Sequence, residues 1–372
     1  MKRVWLAVTS AVTVVFVVYG THVRGALTDL KVYRAGGAAW IHNTPLYTSK
    51  FPFWLPFTYP PVAAVLFSVL AILPMMVAAT LLIAAGLLSL GYATTLAVPA
   101  RWVLLVLPCA LVLEPVRTTL RFGQINLILM AMVAADCLLA RTRYPRGVLV
   151  GIAAAVKLTP AVFILFFLAR RQRGPAVTAA VTFVCASGLG MLVAPADSLR
   201  YWHTTIFDPD RIGGAEFVTN QSLRGALTRL DLPRSSTELL WLALSAIVLV
   251  IAWFAARRVQ DPVTALLVVA AAGLVVSPVS WSHHWVWIVP ALFVGVTRLY
   301  RNPPALAALA ATAVVFLAGQ RYLPHGNDLE LHWTWWQHVL GNSYLLVALA
   351  FLVWTAAAYR KPATVSQQAV AT

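Results

Sequence analysis

The chain has 372 residues, of which 60% are hydrophobic and only 11% charged, and it carries 14 tryptophans. A soluble domain averages about 25% charged residues, so this composition excludes an ordinary water-soluble enzyme. It predicts an all-α polytopic membrane protein forming a single domain over residues 1–372. The net charge of +16 predicts no nucleic-acid partner, because Lys and Arg gather in the cytoplasmic loops of membrane proteins.

Apolar stretches fall at 4–20, 61–73, 75–98, 102–114, 124–140, 147–169, 174–193, 238–257, 262–279, 284–299, 304–319 and 343–359. They predict a bundle of about twelve transmembrane or re-entrant helices, since a full span needs roughly 20 apolar residues and several of these are shorter. The first stretch reads as a retained helix rather than a cleaved signal peptide. Basic clusters at Lys2/Arg3, Arg101, 141–146, 169–173, 256–258, 298–301 and 359–361 belong on the cytoplasmic side. Placing all of them there requires that 61–73 does not cross. It also requires 147–169 to enter and return as two short helices meeting near "KLTP". Both termini then lie in the cytoplasm, and residues 361–372 form a loose polar tail. Cys109, Cys137 and Cys185 sit in apolar segments without a disulfide or ligand pattern.

The outer loops become 21–60, 114–123, 194–237, 277–283 and 320–342, and all of the 12 acidic residues except Asp136 and Asp261 lie on that side. In the first loop, "ALTDLKVYRAGGAAW" presents Asp29 just above the bilayer. It is either the N-cap of an interfacial helix starting at Thr28 or Asp29, or a catalytic carboxylate. Further on, "LPFTYPPVAAVLF" sets Tyr59 before Pro60 and Pro61, a pair suited to the first turn of a short apolar helix. In the second loop, "LEPVRTTLRFGQINLI", one helix is expected to end at Glu114–Pro115 and another to begin near Gln124–Ile125. Glu114, Arg117, Arg121, Gln124 and Asn126 crowd between lipid-length helices, where polar groups face a bundle interior or a water-filled cavity.

Within 147–169, Lys157 in "AAAVKLTPAVF" is the lone cation of an apolar run. An unpaired lysine there is penalised by about 2.5–3.5 kcal/mol, and a phosphate would serve as its partner. Asn220, Gln221 and Arg224 in "FVTNQSLRGALTRL" sit where a loop turns into a short helix, a mixture suited to sugar hydroxyls and a phosphate. The last loop, "SPVSWSHHWVWIVP", sets His283 and His284 between Trp281 and Trp285. The tryptophans read as an interfacial belt, and the imidazoles as a general base or phosphate-contacting donors. No Cys/His/Asp set has zinc-ligand spacing, so no metal or other cofactor is expected. One carboxylate, two imidazoles, amides and cations at membrane level suit a sugar carried on a lipid phosphate.

The segments "DLKVYRAGGAAW", "LPFTYPPVAAVLF", "EPVRTTLRFGQINLIL", "GIAAAVKLTPA", "NQSLRGAL" and "SPVSWSHHWVW", between residues 28 and 287, resemble in their order glycosyltransferase family 87, enzymes of the GT-C fold. Residues 300–372 carry no such motif. The resemblance implies an inverting enzyme that uses a polyprenyl-phosphate sugar donor and a membrane glycolipid acceptor at the outer face of the plasma membrane. It further implies mannose as the sugar, a phosphatidylinositol-mannoside-type acceptor and an α-(1→2) product. By position, Asp29 resembles the family's outer-loop aspartate, and His283/His284 match its double histidine. Arg117, Lys157 and Arg224 are then candidates to neutralise the leaving phosphate. An arabinofuranosyltransferase using decaprenyl-phosphate arabinose is the alternative within the family. A lipid-glycan transporter would require paired inverted halves, and the sequence has none.

Overall fold

The computed structural model describes residues 2–23, 25–48 and 55–359, so the expected loose tail lies outside the described residues. Among the described residues the secondary structure is helical, and one isolated antiparallel bridge joins Asn220 to Trp281. In chain order the helices are α1 (Lys2–His22), α2 (Thr28–Ile41), α3 (Pro61–Ile72), α4 (Met75–Ala97), α5 (Val103–Val112), α6 (Glu114–Phe122), α7 (Asn126–Leu138), α8 (Val148–Val156), α9 (Ile164–Ala169), α10 (Arg173–Val193), α11 (Pro195–His203), α12 (Leu223–Thr228), α13 (Arg234–Arg258), α14 (Pro262–Val276), α15 (Ile288–Leu299), α16 (Pro303–Val315), α17 (Trp335–Gly341) and α18 (Ser343–Ala358). Among the described residues, α4, α10 and α13 are long and apolar enough to cross a membrane. The number rises to 5 if the bent pairs α6/α7 and α17/α18 each make one span. Val177, Val181 and Val184 on α10 and Leu239, Ile247 and Val250 on α13 are exposed. Helices apolar all round in this way have lipid as their solvent.

Three local arrangements position the polar residues. The first is the antiparallel pair α2/α3. With 12 residues, α3 is about 18 Å long, short of the roughly 30 Å hydrocarbon core. The Arg34 guanidinium donates to the carbonyls of Leu70 and Leu73, closing the C-terminal end of α3. Gly37 lets the two backbones meet, because a Cβ there would stand 2.5 Å from the Phe67 carbonyl oxygen. At its other end, α2 is entered through Leu27 in the left-handed region (φ 54°), whose N–H donates to the Arg121 carbonyl at 2.7 Å. Thr28 is thus the first helical residue, and no side chain caps this terminus. Asp29 is left free of the capping role that its position in the sequence suggests.

The second arrangement differs from expectation. The stretch after Glu114–Pro115 is not a turn but α6, a helix of 9 residues with proline in its first turn. Its buried face carries Glu114, Val116, Thr119 and Leu120, while Arg117 and Arg121 are exposed. Gly123, left-handed at φ 67°, ends α6, and the path bends by 116° into α7. Only a residue tolerant of positive φ makes so sharp a change at low strain, and it delivers Gln124 to the bend.

The third is the broken hairpin. Gly147 lies against Pro175 and Ala179, and Gly151 against Ala179 and Thr182, so α8 runs parallel to α10. α9 then joins α10 through the turn at 170–172 and runs back along it. The two ends of 147–169 therefore lie together beside the start of α10, the hairpin shape that the charge pattern predicts. The break falls at Lys157, which is extended (φ −146°, ψ 123°). Pro160 lacks an N–H and disfavours helix at the residue before it, so the returning arm starts as a 3-10 turn over Thr159–Phe163. Gly37→Ala is expected to destabilise the protein by about 1–3 kcal/mol through overpacking, read as a lower thermal midpoint. Gly174→Ala, where a Cβ meets nothing within 4 Å, is expected to leave the midpoint unchanged.

Candidate active site

The elements just described converge on a cavity of about 960 Å³. Asp29, Tyr59, Gln124, Lys157, Trp281, His283 and His284 all line it, although they come from five separate segments. The 3-10 turn over Ser282–Trp287 carries the histidine pair. It is held by α6 and α7: Thr119 Oγ1 (2.9 Å) and Asn126 Nδ2 (3.0 Å) both donate to the His283 carbonyl. The Asn126 Oδ1 accepts from Lys157 Nζ at 2.9 Å, and the same ammonium lies 3.2 Å from His284 Nε2. The two imidazoles meet edge to face, with centroids 4.7 Å apart.

The carboxylate of Asp29 lines the same cavity. Gln124 hydrogen-bonds it, while Gln124 Oε1 accepts from Tyr33 at 2.7 Å. Tyr33 in turn shares a 2.9 Å hydrogen bond with Tyr59. Burial is the largest influence on Asp29 and pushes its pKa up to about 6, against the opposing charge of Lys157 and the Gln124 hydrogen bond. The imidazoles go the other way. Burial and then Lys157 hold both well below the usual histidine value, with Arg321 adding to the effect on His283 and His283 to that on His284. At neutral pH the site therefore contains neutral histidines and one carboxyl that titrates close to neutrality.

Other residues singled out in the sequence have structural partners. Glu114 is buried and accepts from Thr118 (2.7 Å), Ser282 (2.8 Å), Arg321 (2.7 Å) and Tyr344 (3.1 Å). Asn220 Oδ1 accepts from the Ser280 N–H at 3.0 Å, and the Gln221 N–H donates to the Ser280 carbonyl at 2.8 Å, which pins this loop to the histidine segment. The Gln221 amide also donates to Gly341 at 2.6 Å. Arg224 is ion-paired with Glu238 (2.6 Å) and Asp210 (2.9 Å). Glu114, Arg117, Asn126, Asn220, Gln221 and Arg224 are not among the residues lining the large cavity, although Asn126 borders a smaller one beside Lys157 and His284.

The structure adds residues that sequence reasoning missed. Tyr33 lies four positions after Asp29 on α2, a spacing that puts both on one helix face. Arg211 lines the cavity from the 3-10 turn Pro209–Ile212, and Arg321 lines it from the turn Gly319–Tyr322. No local pattern marks either arginine.

A model of glycosyltransferase family 87 matches residues 57–278. The chain is similar to the polyprenol-phosphate-mannose-dependent alpha-(1-2)-phosphatidylinositol mannoside mannosyltransferase of Mycobacterium tuberculosis, with 41% identity over 87% of this chain and 83% of that protein. The protein of the same name from Mycolicibacterium smegmatis is 40% identical over 87% of this chain and 82% of its own. The polyprenol-phosphate-mannose-dependent alpha-(1-2)-phosphatidylinositol pentamannoside mannosyltransferase of Mycolicibacterium smegmatis is 34% identical over 88% and 84%. No solved structure matches. With the family's pattern covering more than half of the chain and relatives matching it nearly end to end, the protein belongs to glycosyltransferase family 87.

Proposed function

We propose that this glycosyltransferase moves mannose from a polyprenyl-phosphate mannose to a glycolipid acceptor of the phosphatidylinositol mannoside type, forming an α-(1→2) linkage. The observation that carries the reading is the pairing of a raised carboxyl, Asp29, with a cation, Lys157, across one cavity that also holds neutral imidazoles. The relatives named above supply the sugar and the acceptor.

The acceptor hydroxyl attacks the anomeric carbon of a β-linked mannosyl phosphate. The new C–O bond forms as the bond to the phosphate oxygen breaks, and that electron pair stays on the phosphate. The hydroxyl proton passes to the Asp29 carboxylate. A base titrating near 6 is ionised at neutral pH, yet more basic than an ordinary aspartate. Its charge also faces a transition state with oxocarbenium character. The neutral imidazoles serve as hydrogen-bonding groups rather than as the base, because burial and the nearby cations hold both well below the usual histidine value, and His284 Nε2 faces the Lys157 ammonium. Lys157 neutralises charge on the leaving phosphate. Trp281 offers a ring face to the sugars, while the Tyr59 ring lies beneath the Lys157 ammonium.

The cavity opens on the outer side of the plasma membrane in this reading. About twelve membrane-embedded elements surround it, since several are shorter than the roughly 20 residues of a full span, and both termini are cytoplasmic. A cysteine placed at the highly exposed Tyr322 (92%) in a cysteine-free background is expected to react with an impermeant maleimide added to intact cells. One placed at Arg143 is expected to react only after permeabilisation. The reverse pattern would overturn the orientation.

Transfer assayed with purified protein is expected to release polyprenyl phosphate from the mannosyl donor and not from decaprenyl-phosphate arabinose. Release from the arabinosyl donor alone would instead make it an arabinofuranosyltransferase. The value of kcat/KM is expected to rise with pH through an apparent pKa near 6, because the base must be deprotonated. Asp29→Asn is expected to remove that limb and lower kcat by about 10²–10⁴-fold. Its thermal midpoint at neutral pH should hold or rise. The folded carboxyl keeps its proton to a higher pH than the unfolded one, so ionised Asp29 opposes folding once pH exceeds that window. Lys157→Ala is expected to raise the donor KM at least tenfold and to abolish the upward thermal shift that the donor gives the wild type. An undiminished shift would remove Lys157 from the phosphate site.

A further inference from the structure

The histidine segment lies between two cations. Lys157 reaches His284 Nε2 from the broken hairpin. Arg321 approaches from the opposite end of the chain, 3.3 Å from the hydroxyl of Ser282, the residue before His283. Both cations line the cavity. The turn that carries Arg321 is entered through Ala318 in the left-handed region (φ 76°), a conformation alanine rarely adopts.

The bonding of Arg321 is lopsided. One terminal nitrogen, Nη2, makes all of its described contacts, to Glu114 Oε1 at 2.7 Å and to Ser282. Its Nε is buried without a hydrogen-bond partner among the described residues. Glu114 does not need the arginine for satisfaction alone, since Thr118, Ser282 and Tyr344 also donate to it. The guanidinium is thus anchored at one corner, with donor capacity left on a side chain that remains 36% exposed. An anion lying before the imidazoles would have an ammonium on one flank and this guanidinium on the other.

We propose that Arg321 is a substrate-contacting residue that holds the phosphate of the polyprenyl-phosphate carrier, and holds it more strongly as the product monoester than as the sugar diester. The assignment rests on the transferase reading above. As the glycosidic bond breaks, its electron pair adds charge to the phosphate, which leaves as a monoester carrying about −1.5 to −2 rather than the −1 of the diester. A second cation therefore gains interaction as the reaction proceeds, and that gain accelerates the chemical step. With Nη2 held by Glu114 and Ser282, Nη1 remains to donate to a phosphate oxygen, and the delocalised charge of the guanidinium faces the anion.

Full-length protein in lipid nanodiscs is assayed for mannosyl transfer with farnesyl phosphate as a product-like inhibitor and farnesol as its uncharged control. Arg321→Gln is expected to raise the farnesyl phosphate inhibition constant at least tenfold and the donor KM by less. The acceptor KM and inhibition by farnesol should be unchanged. Arg321→Lys is expected to recover part of the loss and, should the glutamine variant not fold, carries the test by a severalfold rise of its own. Unchanged farnesyl phosphate inhibition in either variant overturns the proposal. So does a fall in thermal midpoint matching that of Glu114→Gln with donor and acceptor constants moving alike, which would make Arg321 a prop for Glu114. If the wild type releases no polyprenyl phosphate, the transferase reading fails on its own. Thermal shifts with farnesyl phosphate then still decide whether Arg321 binds the anion.

Discussion

One side-chain amide, that of Asn126, joins the parts of the site. Its oxygen accepts from the Lys157 ammonium and its nitrogen donates to the His283 carbonyl. A lysine surrounded by apolar helices persists only if something polar meets it, and a backbone carbonyl in a tight turn needs a donor. Asn126 answers both needs at once because the bend after Gly123 places it at the first turn of α7. The broken hairpin and the histidine turn are thereby tied to the same helix start. A residue with only a donor or only an acceptor could hold one of them and not the other.

The remaining polar groups divide by the same requirement. Glu114, Asn220, Gln221 and Arg224 look like ligand-binding residues in the sequence, since they are costly to place in so apolar a chain. In the structure each has protein partners: hydroxyls and Arg321 for Glu114, backbone for Asn220 and Gln221, carboxylates for Arg224. Glu114, Asn220 and Gln221 fix the segment that carries Trp281 and His283, and Arg224 ties α12 to α13 and to the turn Pro209–Ile212. The cavity itself is lined by groups from α2, the 124 bend, the hairpin tip and the histidine turn, with arginines from two 3-10 turns.

Much of this was legible in the sequence for identifiable reasons. Alternating basic clusters required that 147–169 return to its own side, and the packing of α8 along α10 agrees. Polar residues stood out against an apolar background, so Asp29, Gln124, Lys157 and the histidine pair were visible as outliers. Charge pattern and hydropathy do not report local backbone geometry, however. They left open whether Asp29 capped a helix, which the left-handed Leu27 decides. They also gave a turn where α6 forms, although Arg117 and Arg121, four positions apart, already mark one face of a helix; nine residues fall short of the roughly 11–18-residue window over which such periodicity is read. Arg321 was illegible for a different reason. Its partner, Glu114, is 207 positions away, and no spacing in a single sequence reports a contact of that range.

The adjacency of the two histidines follows from the electrostatics of the hairpin tip. Lysine has donors and no acceptor, so the contact of its charged ammonium with His284 Nε2 requires that nitrogen to be unprotonated and fixes the proton on Nδ1. His284 is thus kept neutral and turned toward the cation, which makes it a poor base however close it lies to a substrate. Its neighbour, set at 85° to it, sits in the same buried, cation-flanked setting and is pushed the same way. An imidazole under that pressure offers a hydrogen bond without adding a charge that would have to be neutralised in turn. The carboxyl of Asp29, by contrast, is pushed toward greater basicity. A site that must both remove a proton and receive an anionic leaving group needs these opposite shifts, and burial alone supplies their signs, because it disfavours charge on acids and bases alike.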